Sequence, residues 1–489
     1  MTIQEVINRI HDTQPKADVG IVELAYDYAL KAHQGQLRRS GEEYIQHSLH
    51  TAFTLAEIKA DIPTIAAGLL HDVPEDTECT LEDVEHNFGE EIARLVEGIT
   101  KLSKIKYRGI ERYAESLRKM FVFMANDLRV ILIKFADRLH NLRTLEHVPP
   151  EKQKRIAQET MEIYAPIAGL LGVWRLKWQM EDICFKYLHP EDFHQLQYKY
   201  EVEQKAERNQ FIQKTKNIIE KKLVEAGVKH EITGRFKHLY SIWLKMQRKD
   251  RRFDEIQDVF ALRVVVDNVA DCYKTLGIIH SSWRPKISRF KDYIAVPKPN
   301  GYRSLHTTVF GIDGKATEFQ IRTKQMDEEA HYGVPAHLFY KMQGKGGEGD
   351  YQPKWAQEIL ELQKTFQDTH DFVKQVKFEV FRNRIFIFTP KGDVYDLPVG
   401  STPVDFAYAV HTDIGHHCTS AMVNDRIAPL DAELKSGDLV EIVTDKHRKG
   451  PSRDWLKFVK THRAKYKIKQ FTKESRFEQI KRFIPGIRG

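Results

Sequence analysis

The sequence predicts a multidomain chain in which an all-α domain is followed by an α+β domain and then by a small β-rich domain. Three features of the pattern lead to this prediction: helical periodicity up to about residue 195, β-branched runs from residue 231, and short strand-like runs after a glycine-rich segment at 344–350. At 489 residues the chain is long enough for two to four domains.

The first 195 residues carry apolar side chains at three- and four-residue spacing, which is typical of amphipathic helices. Glycines and prolines fall between the periodic segments and mark their ends. We therefore predict an all-α domain over residues 1–195. Its helices are predicted at 21–33, 52–71, 90–100, 128–145 and 152–174.

From residue 231 onwards, β-branched runs typical of strands alternate with helical stretches. A Lys/Glu-rich helix at 203–226 precedes them and connects the two domains. We predict an α+β domain over residues 196–343 that includes this connecting helix. Its strands are predicted at 264–266, 293–296 and 307–310, and its helices at 240–247 and 269–280.

The glycine-rich segment opens a linker, followed by one helix, that we extend over residues 344–381. A small half-open sheet wrapped on one helix is predicted over residues 382–446, and a basic helical tail over residues 447–489. The strands of this sheet are predicted at 384–389, 394–397, 421–423 and 439–443, around a helix at 403–411.

The positive charge is concentrated at the end of the chain. The net charge is +7, and residues 446–489 alone hold 15 lysines and arginines against 3 acidic residues. Aromatic residues stand between these cations, so the tail either follows a phosphate backbone or is a solvated helix face. The sequence has no apolar run of about 18 residues and no signal-peptide pattern, so we expect a cytoplasmic protein without a membrane partner. Four widely separated cysteines argue against a disulfide framework.

A His-Asp pair, His71 and Asp72, follows the apolar run at 65–70, and Glu75 and Asp76 come about one turn later. Imidazole and carboxylate groups bind divalent metals, which activate water for attack on phosphorus. Glu75 and Asp76 are then placed to orient that water or to protonate the leaving oxygen. The pattern predicts a metal-dependent phosphohydrolase site.

Two further ligands, His47 and Asp137, are predicted from the same half of the chain. Asp137 stands on an otherwise apolar helix, where a carboxylate is unfavourable unless it binds a metal or an ion-pair partner such as Lys134 or Arg138. Two histidines and two aspartates suit Mn²⁺, Zn²⁺ or Mg²⁺ with water in the open positions. Upstream, the basic loop at 38–41 either holds an anionic substrate or is a solvated turn.

A second site is predicted in the α+β domain. Arg235 and Lys237 precede a predicted helix, and fixed cations in that position suit a triphosphate. Asp258 at the start of a strand is a candidate ligand for Mg²⁺ on the phosphates, and Glu318 on a later strand is a candidate to accept a proton or share the metal. An Asn-Gly turn presents Tyr302 for stacking on a base. A surface salt bridge is the alternative for any one of these residues.

This combination of motifs resembles the RelA/SpoT homologues, the enzymes that make and degrade (p)ppGpp. The resemblance covers about residues 20–470 and implies an all-α HD-type hydrolase domain, a nucleotidyltransferase-like synthetase domain and a β-grasp TGS domain. For the hydrolase it implies Mn²⁺ bound by His47, His71, Asp72 and Asp137, and catalysis by Glu75 and Asp76. The implied guanosine-nucleotide contacts are Arg38, Arg39, Ser40, Asn141 and Thr144.

For the synthetase the resemblance implies transfer of the β,γ-pyrophosphate of ATP to the 3′-hydroxyl of GTP or GDP. It implies that Tyr302 stacks on guanine and that Asp258 and Glu318 serve Mg²⁺ and the general base. The implied nucleotide-binding residues are Arg235, Lys237, Ser241, Lys245, Arg263, Lys298, Asn300, Tyr302 and His306.

Other positions refine the resemblance. The motif Arg-Phe-Lys-Asp at 289–292 is similar to that of bifunctional members, whereas Arg303, His331 and the segment 335–338 depart from the family pattern. The TGS resemblance implies contact with uncharged tRNA on the ribosome through His411, for which a plain helix cap is the alternative. Long members continue into zinc-finger and ACT modules, and this sequence stops at Gly489 as a truncated or a naturally short form.

We therefore predict a bifunctional (p)ppGpp synthetase/hydrolase of the stringent response, with ATP, GTP or GDP, and (p)ppGpp as its ligands. Two alternatives stay open: a hydrolase whose α+β domain is weak or only regulatory, and a ribosome- or tRNA-associated protein with decayed catalysis. We also hypothesise that the helical segment 196–226 couples the two sites, so that one closes when the other opens.

Overall fold

The computed structural model describes residues 1–103, 127–203, 205–234, 238–249, 260–297, 302–332, 384–391 and 393–483. The chain divides into two compact units, Met1–Gln357 and Glu358–Gly489. The first unit contains the helical domain and the α+β domain, and the second contains the small β-rich domain and the basic tail. The predicted linker at 344–381 lies outside the described residues.

The N-terminal domain is almost entirely helical over its described residues, as predicted. Its helices are α1 (Ile3–Thr13), α2 (Gly20–Ala32), α3 (Ile45–Glu57), α4 (Ile62–Leu70), α5 (Val73–Asp76), α6 (Leu81–Phe88), α7 (Glu90–Ser103), α8 (Leu128–Arg143), α9 (Pro150–Glu159), α10 (Ala165–Leu170), α11 (Trp174–Leu188) and α12 (Pro190–Gln197). Several begin at a capping side chain: Thr2 forms a capping box with Glu5, and Asp61 accepts the N–H of Thr64.

The single helix predicted at 52–71 is wrong, because the chain forms two helices there, α3 and α4. The break lies at Lys59, whose φ of 59° is in the left-handed region. The two helices nevertheless pack closely, since a Cβ atom at Gly68 would lie only 2.5 Å from Leu55 Cδ1. This packing holds His71, at the end of α4, beside His47 on α3, with ring centroids 5.1 Å apart.

A five-stranded sheet forms the centre of the α+β domain. Its elements are α13 (Lys205–Glu225), β1 (His230–Gly234), α14 (Leu239–Lys249), β2 (Phe260–Val266), α15 (Val269–Ser282), β3 (Lys291–Asp292), β4 (Leu305–Phe310), β5 (Ala316–Thr323) and α16 (Lys324–Tyr332). The strand order is β1-β2-β5-β4-β3, with β2 and β5 parallel and the other neighbours antiparallel.

The two faces of this sheet differ because side chains alternate along each strand. Leu262, Phe319 and Ile321 belong to the apolar face, which packs against α13 and α15. Arg263 and His306 are both register partners of Gln320, so the polar residues share the opposite face. The connecting helix predicted from the sequence is therefore part of the core of this domain.

The strand predicted at 293–296 is wrong, and these residues form a turn. Asp292 Oδ1 accepts the N–H groups of Ile294 and Ala295, each at 2.9 Å. A local side-chain acceptor thus takes the place of a ladder partner. The other two predicted strands are confirmed within β2 and β4.

The second unit contains the predicted half-open sheet wrapped on a helix. Its elements are β6 (Arg384–Phe388), β7 (Val394–Pro398), α17 (Pro403–Val410), α18 (Thr412–His417), β8 (Cys418–Val423), β9 (Arg426–Ala428), β10 (Val440–Thr444) and α19 (His462–Phe483). β6 pairs with β7, and β10, β8 and β9 form a three-stranded sheet in that order. A bridge between Phe388 and Leu439 joins the β6–β7 pair to this sheet.

The basic tail packs onto this small domain. Ala464 and Ile468 of α19 are buried in one cluster with Val404 and Tyr408 of α17. Asp405, fully buried, accepts hydrogen bonds from the N–H groups of Lys460 and Thr461 and from hydroxyls at Thr402 and Thr461. No helix in the described part of the chain is both long and apolar enough to cross a membrane.

Candidate functional site

Polar side chains of the helical domain meet in its interior. His47 lies on α3, His71 follows α4 and Asp137 lies on α8; all three are buried, and their ligand atoms lie within 4.8 Å of one another. Asp72 Oδ2 lies 3.4 Å from His47 Nε2 and 3.2 Å from His71 Nε2. The four metal ligands predicted from the sequence therefore lie in one place, called below the His/Asp cluster.

The hydrogen bonding of His71 fits a metal ligand. Its Nδ1 lies 2.9 Å from the carbonyl oxygen of Gly68, to which it donates. Its Nε2 is buried and lies 3.2 Å from Asp72 Oδ2, without the geometry of a hydrogen bond to any described residue. A buried nitrogen beside carboxylates is unfavourable unless a proton or a metal cation lies between them. By this test the residues of the cluster fit a divalent cation.

The carboxylates of the cluster attract cations, and the pKa values reflect this. Burial lowers the pKa of His71, but Asp72 and Asp137 outweigh burial and raise it to about 9. Burial also opposes ionisation of Asp137, yet Lys134 and His47 hold its pKa well below the usual range. A proton and a metal ion therefore compete for the same nitrogen.

His140 fixes the orientation of His47 and was missed in the sequence. Its Nδ1 lies 2.8 Å from His47 Nδ1 and 2.9 Å from Arg38 Nη1. Burial and the neighbouring His47 lower the pKa of His140 to about 2, so this ring is neutral and its Nδ1 accepts. His47 then donates from Nδ1, and its Nε2, the nitrogen left for a metal, faces Asp72 and Asp137. The only indication of His140 in the sequence was its position three residues after Asp137, which places both residues on the same face of α8.

Tyr44, also missed, connects the His/Asp cluster to the predicted catalytic carboxylates. Its hydroxyl lies 2.9 Å from Asp72 Oδ2 and 2.6 Å from Asp76 Oδ2. Burial and these carboxylates raise the pKa of Tyr44 far above its usual range, so the hydroxyl stays protonated and donates. Glu75 and Asp76 are exposed on α5, directly after the cluster. Their catalytic role stays a prediction.

The predicted basic loop reaches the cluster through Arg38. Its Nη2 donates to Asn141 Oδ1 at 2.5 Å, and Asn141 Nδ2 donates to Asp137 Oδ1. Thr144 ends α8 close to these residues, with its hydroxyl 3.3 Å from the carbonyl oxygen of His140. Within the loop Arg39 is exposed, and Ser40 Oγ donates to Glu42 at 3.2 Å.

The ion-pair alternative for Asp137 occurs together with the cluster. Lys134 Nζ donates to Asp137 Oδ2 at 2.7 Å, while Asp137 Oδ1 lies 3.4 Å from His47 Nε2. Arg138 pairs with Glu159 at 3.2 Å. One carboxylate oxygen of Asp137 is thus paired with a cation and the other faces the cluster.

A cavity of 730 Å³, called below the interdomain cavity, lies between the polar face of the sheet and the helical domain. Arg143, Lys177 and Trp178 contribute to its lining from the helical domain. The predicted residues that line it are Ser241, Lys245, Arg263, Tyr302, His306 and Glu318. The predicted residues Arg235, Lys237, Asp258, Lys298 and Asn300 lie outside the described residues.

Glu318 is held on the floor of this cavity by its neighbours. Gln320 Nε2 donates to Glu318 Oε1 at 3.0 Å, and His306 Nδ1 lies 3.6 Å from the same oxygen. The Tyr302 hydroxyl is 2.8 Å from His306 Nε2. These contacts orient the Glu318 carboxylate in a cavity that is also lined by cations such as Lys245 and Arg263, and its role as a base stays a prediction.

Two of the departures from the family pattern, Arg303 and His331, have structural partners, and the third, at 335–338, lies outside the described residues. Arg303 Nη2 donates to Glu329 at 2.8 and 3.0 Å. His331 Nδ1 lies 2.8 Å from the carbonyl oxygen of Asp327, and its Nε2 lies 3.1 Å from Arg263 Nη1. His331 therefore contacts a predicted phosphate-binding cation directly.

Three parts of the chain match known families. Residues 25–174 match the HD domain, residues 234–345 match the region found in RelA / SpoT proteins, and residues 385–444 match the TGS domain. The chain is thus an HD-domain protein that also carries a RelA/SpoT region and a TGS domain.

Long relatives match across all three parts. The chain is 45% identical over 479 residues to the bifunctional (p)ppGpp synthase/hydrolase SpoT of Escherichia coli K12, which covers 97% of this chain and 68% of that protein. It is 46% identical over 472 residues to a guanosine-3′,5′-bis(diphosphate) 3′-pyrophosphohydrolase of Aquifex aeolicus, covering 96% and 67%. A GTP pyrophosphokinase of Myxococcus xanthus is 47% identical over 471 residues, covering 95% and 62%.

These matches show that the chain belongs to the RelA/SpoT family. It spans 59% to 62% of the length of several of the relatives that it matches.

Proposed function

We propose that this chain is a bifunctional enzyme of the stringent response. It makes (p)ppGpp from ATP and GTP or GDP, and it hydrolyses (p)ppGpp to GTP or GDP and pyrophosphate. The observation that carries the proposal is the presence of two chemically different sites in one compact unit: the His/Asp cluster, and the interdomain cavity that contains Glu318. The names of the relatives support both activities.

In the proposed hydrolysis, water attacks the phosphorus bonded to O3′, the bond between that phosphorus and O3′ breaks, and O3′ receives a proton. His47, His71, Asp72 and Asp137 would hold Mn²⁺, which when bound polarises the phosphoryl oxygen and lowers the pKa of water. Asp76, held by Tyr44, and its neighbour Glu75 orient the water and move the proton. The loop cation Arg38, with Asn141 and Thr144, binds the nucleotide.

In the proposed synthesis, the 3′-hydroxyl of GTP or GDP attacks the β-phosphorus of ATP and AMP leaves. Glu318 accepts the hydroxyl proton, in an orientation set by Gln320 and His306. Lys245 and Arg263 neutralise the phosphates, and placement with charge neutralisation supplies most of the rate. Mg²⁺ is proposed at Asp258 and Glu318.

We further infer a cytoplasmic location and contact with uncharged tRNA on the ribosome through the TGS domain and α19. His411 supports this inference, because it ends α17 with a side chain that is 64% exposed. Arg463 and Lys469 are exposed on α19 and are available for phosphates. Equal binding of uncharged tRNA by the native chain and His411→Ala would exclude a role for this histidine.

Two single substitutions test the assignment of the two sites. Asp72→Ala should abolish hydrolysis in Mn²⁺ and leave synthesis from ATP and GDP in Mg²⁺, whereas Glu318→Gln should do the reverse. Nucleotides separated by anion-exchange chromatography report both activities. Loss of both activities in either folded variant would contradict the two-site assignment.

A second candidate function is a hydrolase whose α+β domain only binds a regulatory nucleotide. The contact between His331 and Arg263 favours this candidate, because one N–H group of Arg263, a residue predicted to bind phosphate, is already hydrogen-bonded to the imidazole of His331. This candidate requires that the native chain form no 3′-pyrophosphate product from ATP and either GDP or GTP while it hydrolyses (p)ppGpp.

A further inference from the structure

The helix that carries Ser241 and Lys245 is held by the N-terminal helical domain. α14 packs on α11 and α12, and its residues Leu239 and Ile242 are buried in a cluster with Phe185 of α11. Ser241 and Lys245 lie on the other face of α14 and line the interdomain cavity. The helical domain therefore determines where two predicted phosphate contacts of the sheet domain lie.

Trp178 on α11 contacts the residue that precedes α14. Its ring stacks on the imidazole of His238 with centroids 4.0 Å apart and an interplanar angle of 8°. Both rings line the interdomain cavity. A parallel stack of this kind resists sliding and tilting of one ring over the other, so it fixes the start of α14 against α11.

Asp182, four residues later, lies on the same face of α11 and fixes the same point. Its Oδ1 accepts the N–H of Tyr240 at 2.9 Å, and its Oδ2 lies 3.8 Å from His238 Nδ1. A carboxylate at the positive end of α14 stabilises that end. Asp182 takes the N–H of Tyr240, so that group is not available to a phosphate, and the residues of α14 that line the cavity are Ser241 and Lys245.

We infer that Trp178 and Asp182 are positioning residues of the pyrophosphate-transfer site. They act through His238 and α14, which place Ser241 and Lys245 for the phosphates of ATP. A helix that the sequence assigns to the hydrolase domain thus serves the synthetase site. The inference rests on the proposed synthetase function and deepens it.

The first test compares the KM for ATP of the native chain with that of the variants Trp178→Ala and Trp178→Phe, each made in the whole 489-residue chain. Trp178→Ala should raise the KM for ATP about tenfold, the effect expected when an aromatic pair is lost, with a smaller change in kcat. Trp178→Phe should recover most of the affinity, because a ring still stacks on His238. Tyr187→Ala is the matched control: it removes a ring of α11 that does not line the cavity, and its KM should match that of the native chain. The kcat for (p)ppGpp hydrolysis should be unchanged in all of them.

The second test separates the hydrogen bond of Asp182 from its charge. Asp182→Ala should raise the KM for ATP, and Asp182→Asn, which keeps an acceptor for the Tyr240 N–H, should stay close to native. This pair decides the matter if Trp178→Ala fails to fold. An unchanged KM in Asp182→Ala and Trp178→Ala, or faster synthesis in either, would overturn the inference. A native chain that makes no product at all would instead overturn the proposed synthetase function.

Discussion

His140→Leu should weaken metal binding at the His/Asp cluster without touching a ligand. The substitution removes the acceptor that lies 2.8 Å from His47 Nδ1 and 2.9 Å from Arg38 Nη1. His47 is then free to move its proton to Nε2, the nitrogen that faces Asp72 and Asp137. A protonated Nε2 cannot bind a metal, so part of the population loses one ligand.

The magnitude follows from the loss of a hydrogen bond behind a metal ligand, which typically lowers affinity by about 10–100-fold. This corresponds to about 1.4–2.7 kcal/mol of binding free energy. Separately, the substitution should lower the free energy of unfolding by about 1–3 kcal/mol, because the Nδ1–H group of His47 is left buried without its acceptor. Arg38 keeps its hydrogen bond to Asn141, so the loop should stay in place.

Isothermal titration of the full chain with Mn²⁺ measures the affinity, and the Mn²⁺ dependence of hydrolysis provides a second readout. Synthesis serves as an internal control for folding. His140→Asn, which restores an acceptor near the Nδ1 position, should recover most of the affinity. His50→Leu is the matched control, since His50 stacks on His140 with centroids 4.5 Å apart but belongs to no predicted ligand set. An unchanged Mn²⁺ affinity in His140→Leu would refute the reasoning.

Three further predictions concern other contacts. Asp72 and Asp137 raise the pKa of His71 to about 9, so metal binding at pH 7 should release close to one proton, and metal affinity should rise with pH until about pH 9. Titrations in buffers of different ionisation enthalpy measure the proton release, and the absence of proton release at pH 7 would contradict this prediction. Tyr44→Phe removes the hydroxyl between Asp72 and Asp76 and should lower the kcat of hydrolysis about tenfold with synthesis unchanged, on the scale of a misplaced acid–base group; equal hydrolysis rates would exclude this role. Asp405→Ala should lower the free energy of unfolding of the second unit by about 3 kcal/mol, since the N–H groups of Lys460 and Thr461 lose a buried carboxylate acceptor. Chemical denaturation checks it, with exposed Asp413→Ala as the control that should change little.

Much of the fold was predictable because periodicity reports burial. The connecting helix predicted at 203–226 is observed at Lys205–Glu225, and the helix predicted at 403–411 is observed at Pro403–Val410. The errors occur where local contacts override the pattern. Lys59 divides an apolar run into two helices, and Asp292 satisfies the backbone of a β-branched run as a turn.

The residue types of the candidate sites were also predictable, since each motif carries the chemistry that its ligands need. Residues that act through others were not. His140 and Tyr44 have ordinary sequence contexts, and their roles depend on the hydrogen bonds that they form with His47, Asp72 and Asp76. In the sequence Trp178 is indistinguishable from a core residue of a helix, and only the structure shows that it stacks on His238 at the start of α14.

The sequence by itself determined the order of the domains and most of the helical and strand segments, and it predicted the side chains proposed to bind a metal or phosphates. Those properties depend on residue type and on spacing over a few residues along the chain. Only the tertiary structure decided which nitrogen of His47 and His71 faces the carboxylates, which oxygen of Asp137 stays directed at the cluster, and which domain supports α14. These depend on contacts between residues far apart in the chain, whose distances and directions are set when the helices and the sheet pack together.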